Sequence, residues 1–179
     1  MHYSVCDYIS DLTHNSIEAD TSMIVLDYLE NDKEIKVTIT DNGKGMSDDK
    51  LKKAIDPFYS DQEKKKHKRT IGLGLPFITQ AIEQAKGKIE ISSSEGNGTR
   101  LWFSFNKNEL DTPPIGDKAN TYATLITYPG DFNIIINENI NGKKASLEKK
   151  EIFEALGGMA NTVEAIKLIN QFVSENIIK

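Results

Sequence analysis

The stretch Asp41-Asn42-Gly43-Lys44-Gly45-Met46 decides how this sequence folds and where its functional site lies. It follows an apolar, β-branched run over residues 35–40, so it lies at the end of a predicted strand. A carboxylate at a strand end can accept a hydrogen bond from an exocyclic amine such as that of adenine. The two glycines let the backbone approach a ligand where a Cβ would clash. The alternative interpretation is a simple Asn-Gly turn before a helix.

Working outward toward the N-terminus, residues 3–19 predict an amphipathic helix, because apolar side chains recur at helical spacing. Its polar face carries Asp11, Asn15 and Glu18, which stand at i, i+4 and i+7. Oxygen ligands of this kind suit Mg²⁺, which takes one or two protein oxygens together with phosphate oxygens and water. A polar face that is merely solvated is the alternative. Between this helix and Asp41, residues 23–29 and 35–40 predict a β-hairpin.

Toward the C-terminus, the stretch Thr70-Ile71-Gly72-Leu73-Gly74-Leu75-Pro76 opens a predicted helix over residues 75–85. Free amides at a helix N-terminus and the helix dipole form an anion site, which glycines keep open to a polyphosphate. The alternative is that these glycines only ease close packing. The chain contains neither the GxxxxGK[ST] pattern of a P-loop nor a Rossmann GxGxxG fingerprint.

Two further segments lie near this glycine loop. The turn Gly96-Asn97-Gly98 joins predicted strands over residues 88–93 and 99–105, and the Thr99 hydroxyl is placed to bind water or a base edge. The basic segment 64–69 is open to three interpretations, which are a solvated loop, a nucleic-acid patch or a lid. Its position just before the glycine loop favours a cationic lid over a triphosphate.

Composition narrows the classes of partner. The net charge of −5 argues against bulk attraction to nucleic acid or anionic membranes. No apolar run approaches the roughly 18 residues that cross a bilayer, and the single cysteine, Cys6, excludes an internal disulfide. We expect Cys6 to be a packing residue of a cytoplasmic protein.

The chain divides at a predicted linker over residues 108–119, in which Pro113 and Pro114 stop regular structure. Residues 1–107 form the first predicted domain. Residues 120–179 predict a small α/β extension, with strands near 122–128 and 132–137 and helices near 148–156 and 162–178.

The order and spacing of these motifs resemble the GHKL superfamily, which includes DNA gyrase, heat-shock chaperone ATPases, sensor histidine kinases and mismatch-repair ATPases. The resemblance covers residues 3–105. The matching boxes are the N box at 11–19, the G1 box at 41–46, the F box at 57–59, the G2 box at 72–75 and the G3 box at 96–99. It implies a Bergerat-type two-layer α/β (α+β) sandwich, with a mixed sheet under helices, that binds ATP and Mg²⁺.

The resemblance also implies roles for individual residues. Asn15 would ligate Mg²⁺, Asp41 would bind the adenine amine, and Thr99 would support the base. Lys68 or Arg69 would reach the terminal phosphate. Further residues of the boxes would complete the nucleotide site: Gly43, Gly45, Met46, Phe58, Gly72, Leu73, Gly74 and Leu75.

Within the superfamily, the Phe58 box and the Gly72 loop resemble the catalytic domain of histidine kinases. Two positions of the N box carry residues that differ from those of the related branches of the superfamily. Glu18 stands where such kinases often carry a basic residue, and Asp11 stands where gyrase-like and mismatch-repair ATPases place a glutamate as general base. Aspartate is one methylene shorter, but it can still act as the catalytic base, because geometry decides before pKa does.

No histidine of the sequence stands in the context of a phosphoacceptor. His2, His14 and His67 lack its acidic-then-basic surroundings, and only 14 residues precede Asn15. We therefore expect an ATPase or protein kinase that acts on a separate partner protein. The alternative is a non-catalytic regulatory module whose lid switches a partner surface. Nucleic-acid binding through residues 64–69 is a third hypothesis, which the acidic net charge disfavours.

Overall fold

The computed structural model describes residues 3–55, 74–157 and 162–178. The helices are α1 (Val5–Glu18), α2 (Asp48–Ile55), α3 (Gly74–Gln84), α4 (Lys118–Thr127), α5 (Lys149–Ala155) and α6 (Val163–Asn176). The strands are β1 (Met23–Glu30), β2 (Glu34–Asp41), β3 (Lys88–Ser93), β4 (Thr99–Asn106), β5 (Asn133–Ile140) and β6 (Lys143–Glu148). The predicted α+β architecture, a mixed sheet under helices, is confirmed.

The strands form one six-stranded sheet in the order β3-β4-β2-β1-β5-β6. Neighbouring strands are antiparallel except β1 and β5, which are parallel, so the sheet is mixed. The register places Asp41 opposite both Ile24 of β1 and Thr99 of β4. The end of β2 therefore meets the beginning of β4 at one edge of the sheet, where the sequence predicts the site.

The core lies between one face of the sheet and the helices. Alternate residues along the strands are buried because successive side chains of a strand point to opposite faces. The buried strand residues include Ile24, Leu26, Tyr28, Ile35, Val37, Ile39, Leu101, Phe103, Phe105, Ile134 and Ile136. The predicted packing role of Cys6 is confirmed, since 3% of its surface is exposed and burial raises the pKa of its thiol to about 11.

The helix α1 begins at a capping box. The Ser4 hydroxyl accepts from the Asp7 backbone N–H at 3.2 Å, and the Asp7 carboxylate accepts from the Ser4 backbone N–H at 2.7 Å. Both bonds satisfy amides that the first turn leaves without helical partners. The apolar stripe of α1, which includes Ile9 and Leu12, is buried against the core, so its polar stripe faces away from the sheet.

Among the described residues, one prediction of an element type is wrong, and it lies in the C-terminal region. Residues 122–128 were predicted as a strand, but residues Lys118–Thr127 form α4, capped by the Asp117 carboxylate accepting from Asn120 N–H at 2.9 Å. Tyr122, Leu125 and Ile126 are buried, and their spacing is helical. Burial of this face outweighs the β propensity of the tyrosine and threonine residues.

The rest of the C-terminal region joins the same sheet. Strand β5, which overlaps the predicted strand at 132–137, pairs with β1, and β6, which the sequence did not indicate, pairs with β5. The two helices predicted near residues 148–156 and 162–178 are confirmed as α5 and α6. The division of the chain into domains at residues 108–119 stays a prediction.

Candidate functional site

Asp41 is the buried polar centre of the site, with 6% of its surface exposed. Its Oδ2 accepts a hydrogen bond from the Ser16 hydroxyl of α1 at 2.7 Å. Its Oδ1 accepts from the backbone N–H groups of Gly43 at 2.9 Å and Thr99 at 3.2 Å. Three separate parts of the chain thus fix the orientation of one carboxylate.

The hydrogen bonds of Asp41 leave acceptor capacity on one oxygen. An ionised carboxylate offers about four lone-pair positions. Within the described ranges Oδ1 receives two donors and Oδ2 receives one, and none of the three donors carries a charge. Oδ2 therefore retains a position for a further donor, and this is the chemistry that an exocyclic amine satisfies.

Two glycines allow the loops around Asp41 to pack closely. Gly45 has a φ of 63°, and a Cβ there would lie 2.0 Å from the carbonyl oxygen of Ser94. Gly98 has a φ of 76°, and a Cβ there would lie 1.9 Å from the carbonyl oxygen of Asp41. Any other residue would be strained at either position and would also push the two loops apart.

A network of hydroxyl groups joins Met46 to Thr99. The Ser93 hydroxyl accepts from the Met46 backbone N–H at 2.9 Å, and it lies 2.9 Å from the Thr99 hydroxyl. Asp41, Ser93, Gly98 and Thr99 are among the residues that line a cavity of about 250 Å³. This is slightly below the roughly 300–1,000 Å³ of small-molecule pockets. The structure thus brings together the predicted residues Asp41, Gly43, Gly45, Met46 and Thr99.

The end of the polar face of α1 lies near this centre, because Asn15 adjoins Ser16, which binds Asp41. Asp11 and Asn15 are exposed. Partial desolvation raises the pKa of Asp11 above its ordinary value, while a positive charge on His14 acts in the opposite direction. Among the described residues, no group of three or more His, Cys, Asp or Glu side chains is arranged to hold a metal ion. The exposed side chain of Asn15 offers an amide oxygen, a ligand type that Mg²⁺ accepts together with phosphate oxygens and water.

Helix α3 begins at Gly74, within the predicted glycine loop. Leu75 is partly buried against the core, and its carbonyl accepts from the Thr79 hydroxyl at 2.8 Å. The rings of Tyr3 and Phe77 stack at 6.2 Å, so α3 lies beside α1. Several predicted site residues lie outside the described ranges: Phe58, Lys68, Arg69, Gly72, Leu73 and the basic segment 64–69.

Sequence reasoning missed two hydroxyl residues of the site. Ser16 lies in the buried stripe of α1 and binds Asp41 directly, a contact that helical periodicity alone does not indicate. A small polar residue within an apolar stripe, next to Asn15, is the signal that indicates a buried partner. Ser93 ends β3, and its role follows only from the β3–β4 pairing that places it opposite Thr99.

A family comparison agrees with this geometry. Residues 4–109 match the family described as histidine kinase-, DNA gyrase B-, and HSP90-like ATPase. The matched segment contains α1, β1 to β4 and the loops after β2 and before β4, which together hold every residue placed around Asp41.

Curated relatives include bacterial kinases. Sporulation kinase B of Bacillus subtilis is 38% identical over 96 residues, which cover 52% of this chain and 21% of that protein. Sensor histidine kinase ZraS of Escherichia coli O157:H7 is 33% identical over 79 residues, covering 43% of this chain and 16% of that protein. The chain therefore spans a minor part of the length of the relatives it matches.

A solved structure shares the fold. The N-terminal domain of a DNA repair protein aligns with a TM-score of 0.57 at 14% sequence identity, covering 87% of this chain and 58% of that one. Within the described ranges, no helix has the length and apolar character to span a membrane. The family match over residues 4–109 includes the residues assembled around Asp41, and the chain belongs to the histidine kinase-, DNA gyrase B- and HSP90-like ATPases.

Proposed function

We propose that this chain binds Mg²⁺ and ATP and either hydrolyses the ATP or transfers its γ-phosphate to a separate partner protein. The observation that carries the proposal is the buried Asp41 carboxylate, held by three uncharged donors with one acceptor position left on Oδ2. That position accepts the adenine amine. Asn15 would hold Mg²⁺, which would neutralise phosphate charge when it is bound.

Asp11 is the residue that we assign to the chemical step. It stands one helical turn before Asn15 on the polar face of α1, so a carboxylate and a metal ligand share one side of the helix. Its raised pKa makes it a stronger base than an ordinary aspartate. It would accept the proton of the attacking water or hydroxyl, while the remaining groups position the phosphate for in-line attack.

The acceptor is proposed to lie on another protein. The curated relatives are named as sensor and sporulation kinases, and this supports phosphoryl transfer over simple hydrolysis. His14, the only histidine among the described residues, donates from Nδ1 to the Ser10 carbonyl at 2.7 Å and packs edge-on against Tyr128. Both contacts suit a structural histidine better than a phosphorylated one.

Incubation of the pure protein with γ-labelled ATP and Mg²⁺, with and without cell lysate, tests this proposal. We expect label on a partner protein or as free phosphate. Asp11→Asn should reduce either product by about 10²-fold or more while ATP binding stays intact. Asp11→Glu is the matched control, since it keeps the carboxylate and should retain activity. Label release that is unchanged in Asp11→Asn would contradict the assigned base.

A second function is favoured by the length of the Asp11 side chain. An exposed aspartate, one methylene shorter than the glutamate of related ATPases, reaches less far toward a phosphate. In a non-catalytic module, ATP binding would alter a surface that a partner protein recognises. This function predicts tight ATP binding by the wild-type chain, negligible phosphate release, and no effect of Asp11→Asn on either.

A further inference from the structure

The C-terminal region reaches the same edge of the sheet as Asp41. Met23 of β1 pairs with Asn133 of β5, and Ile24 pairs with Asp41. Glu148, the last residue of β6, pairs with Ile135 near the start of β5. The loop between α4 and β5 and the start of α5 therefore lie at the proposed nucleotide end of the molecule.

From that loop, Tyr128 packs against the polar side of α1. Its ring meets the His14 ring edge-on, with centroids 4.7 Å apart and planes inclined at 74°. His14 precedes Asn15 and follows Asp11 by three residues. Because His14 Nδ1–H donates to the Ser10 carbonyl at 2.7 Å, the imidazole is held by its own helix on one side and by Tyr128 on the other.

Tyr128 is itself fixed by a buried lysine. Lys149 Nζ donates to the Tyr128 carbonyl at 2.8 Å and lies 3.8 Å from the centroid of the Phe132 ring. Only 5% of Lys149 is exposed. A lysine this deep is costly unless its charge is satisfied, and here a carbonyl and an aromatic face do so. The backbone at Tyr128 is thereby held to the start of α5.

We propose that Tyr128 is a positioning residue for Mg²⁺ and the phosphates: through the His14 ring it fixes the second half of α1, and with it Asn15 and Asp11. The inference rests on the proposed function and gives the C-terminal region a role in it. The apolar stripe of α1 sets the distance of the helix from the sheet. Tyr128 adds a restraint on the polar side, where a small rotation would move Asn15 relative to Asp41.

Calorimetry with two ligands separates positioning from general packing. Mg²⁺ with ATP uses both Asn15 and Asp41, whereas ADP in EDTA retains the adenine contact to Asp41 and has no metal. We expect Tyr128→Ala to weaken the binding of Mg²⁺ with ATP by about tenfold, the lower range for loss of a residue that orients a metal ligand. Its affinity for ADP in EDTA should stay within about twofold of the wild-type value, because the contacts of Asp41 are untouched.

Two further variants control for folding. Tyr128→Phe keeps the aromatic edge and should behave as the wild type. Lys149→Met removes the donor to the Tyr128 carbonyl but keeps an apolar chain over Phe132, and it should weaken only the metal-dependent affinity. The ring protons of His14 in NMR spectra should shift in Tyr128→Ala and keep their positions in Tyr128→Phe.

The outcomes distinguish the inference from the proposed function. A wild-type chain that binds neither ligand overturns both. A wild-type chain that binds, with Tyr128→Ala unchanged for both ligands or weakened equally for both, overturns the positioning role alone. If Tyr128→Ala loses affinity only for Mg²⁺ with ATP, and Tyr128→Phe keeps the wild-type affinity, the positioning role is supported.

Discussion

Two buried carboxylates face the helix layer near opposite ends of the sheet, and their partners differ in kind. Asp41 and Glu138 are 6% and 4% exposed. Asp41 accepts hydrogen bonds from a hydroxyl and two backbone amides. Glu138 accepts from Lys118 Nζ at 2.9 Å, from the Tyr122 hydroxyl at 3.2 Å and from the Ile178 backbone N–H at 2.8 Å.

The difference distinguishes a structural carboxylate, Glu138, from Asp41, which we propose binds a ligand. A buried charge is stable when it is paired and hydrogen-bonded. Lys118 neutralises Glu138 inside the protein, and its second bond to the Ile178 carbonyl ties the end of the described chain to β5. Among the described residues Asp41 has only dipoles as partners and keeps an acceptor position at the mouth of a cavity.

The largest expected effect is that of Asp41→Asn on nucleotide affinity. The amide would present a donor to the adenine amine, so we expect at least about a 10³-fold loss in the binding of Mg²⁺ with ATP. Calorimetry on the folded variant measures the loss, and circular dichroism confirms folding. Glu138→Gln is the matched control, which should bind within about twofold of the wild type. Equal affinities of Asp41→Asn and the wild type would refute the adenine assignment.

Glu138→Ala should instead destabilise the fold. Removing one partner of a buried ion pair leaves Lys118 uncompensated, and such losses amount to about 3 kcal/mol or more. Chemical denaturation gives the free energy of unfolding. The variant Lys118→Met with Glu138→Leu should recover much of the loss, because no charge is left buried. A free energy of unfolding unchanged in Glu138→Ala would show that this cluster is not structural.

The pH dependence of turnover tests the third carboxylate, Asp11. Only its ionised form accepts a proton, and desolvation raises its pKa above the ordinary value. Turnover should therefore be full above that pKa and fall by about tenfold per pH unit below it. The midpoint of this pH profile should lie above that of an unperturbed aspartate. Asp11→Glu should shift the midpoint without abolishing turnover. A rate that is independent of pH down to the unfolding transition would exclude Asp11 as the base.

The smallest effect is expected at an exposed carboxylate. Glu90 accepts from Trp102 Nε1 at 2.7 Å on the open face of the sheet, where water competes for both groups. We expect Glu90→Gln to change the free energy of unfolding by less than about 0.5 kcal/mol and to leave nucleotide affinity unchanged. Chemical denaturation of this variant and of Glu138→Ala gives the two free energies of unfolding to be compared. A loss as large as that of Glu138→Ala would mean that burial does not explain the difference.

Local patterns predicted most of the N-terminal region. Helix α1 follows from its apolar stripe, and strands β1 to β4 follow from alternating apolar residues and glycine-containing turns. Helix α4 was not predicted, because its threonines and Tyr122 favour a strand and only tertiary burial selects the helix. Strand β6 was missed because Lys143 and Lys144 make this edge strand polar.

The site was predictable where one short motif contains it. Asp41, Gly43 and Gly45 are neighbours in sequence, so their proximity needed no knowledge of the fold. Contacts between distant segments, such as Ser16 with Asp41 and Tyr128 with His14, depend on strand register and helix packing. Local periodicity carries no information about either.

The distance between adenine N6 and Asp41 Oδ2 tests the central claim most directly. It can be measured in a crystal structure of the chain with Mg²⁺ and a non-hydrolysable ATP analogue. We expect a hydrogen bond of about 2.7–3.2 Å, with the bonds from Ser16, Gly43 and Thr99 retained. An analogue bound elsewhere, with Asp41 Oδ2 facing no part of the base, would contradict the assignment of this edge of the sheet as the nucleotide site.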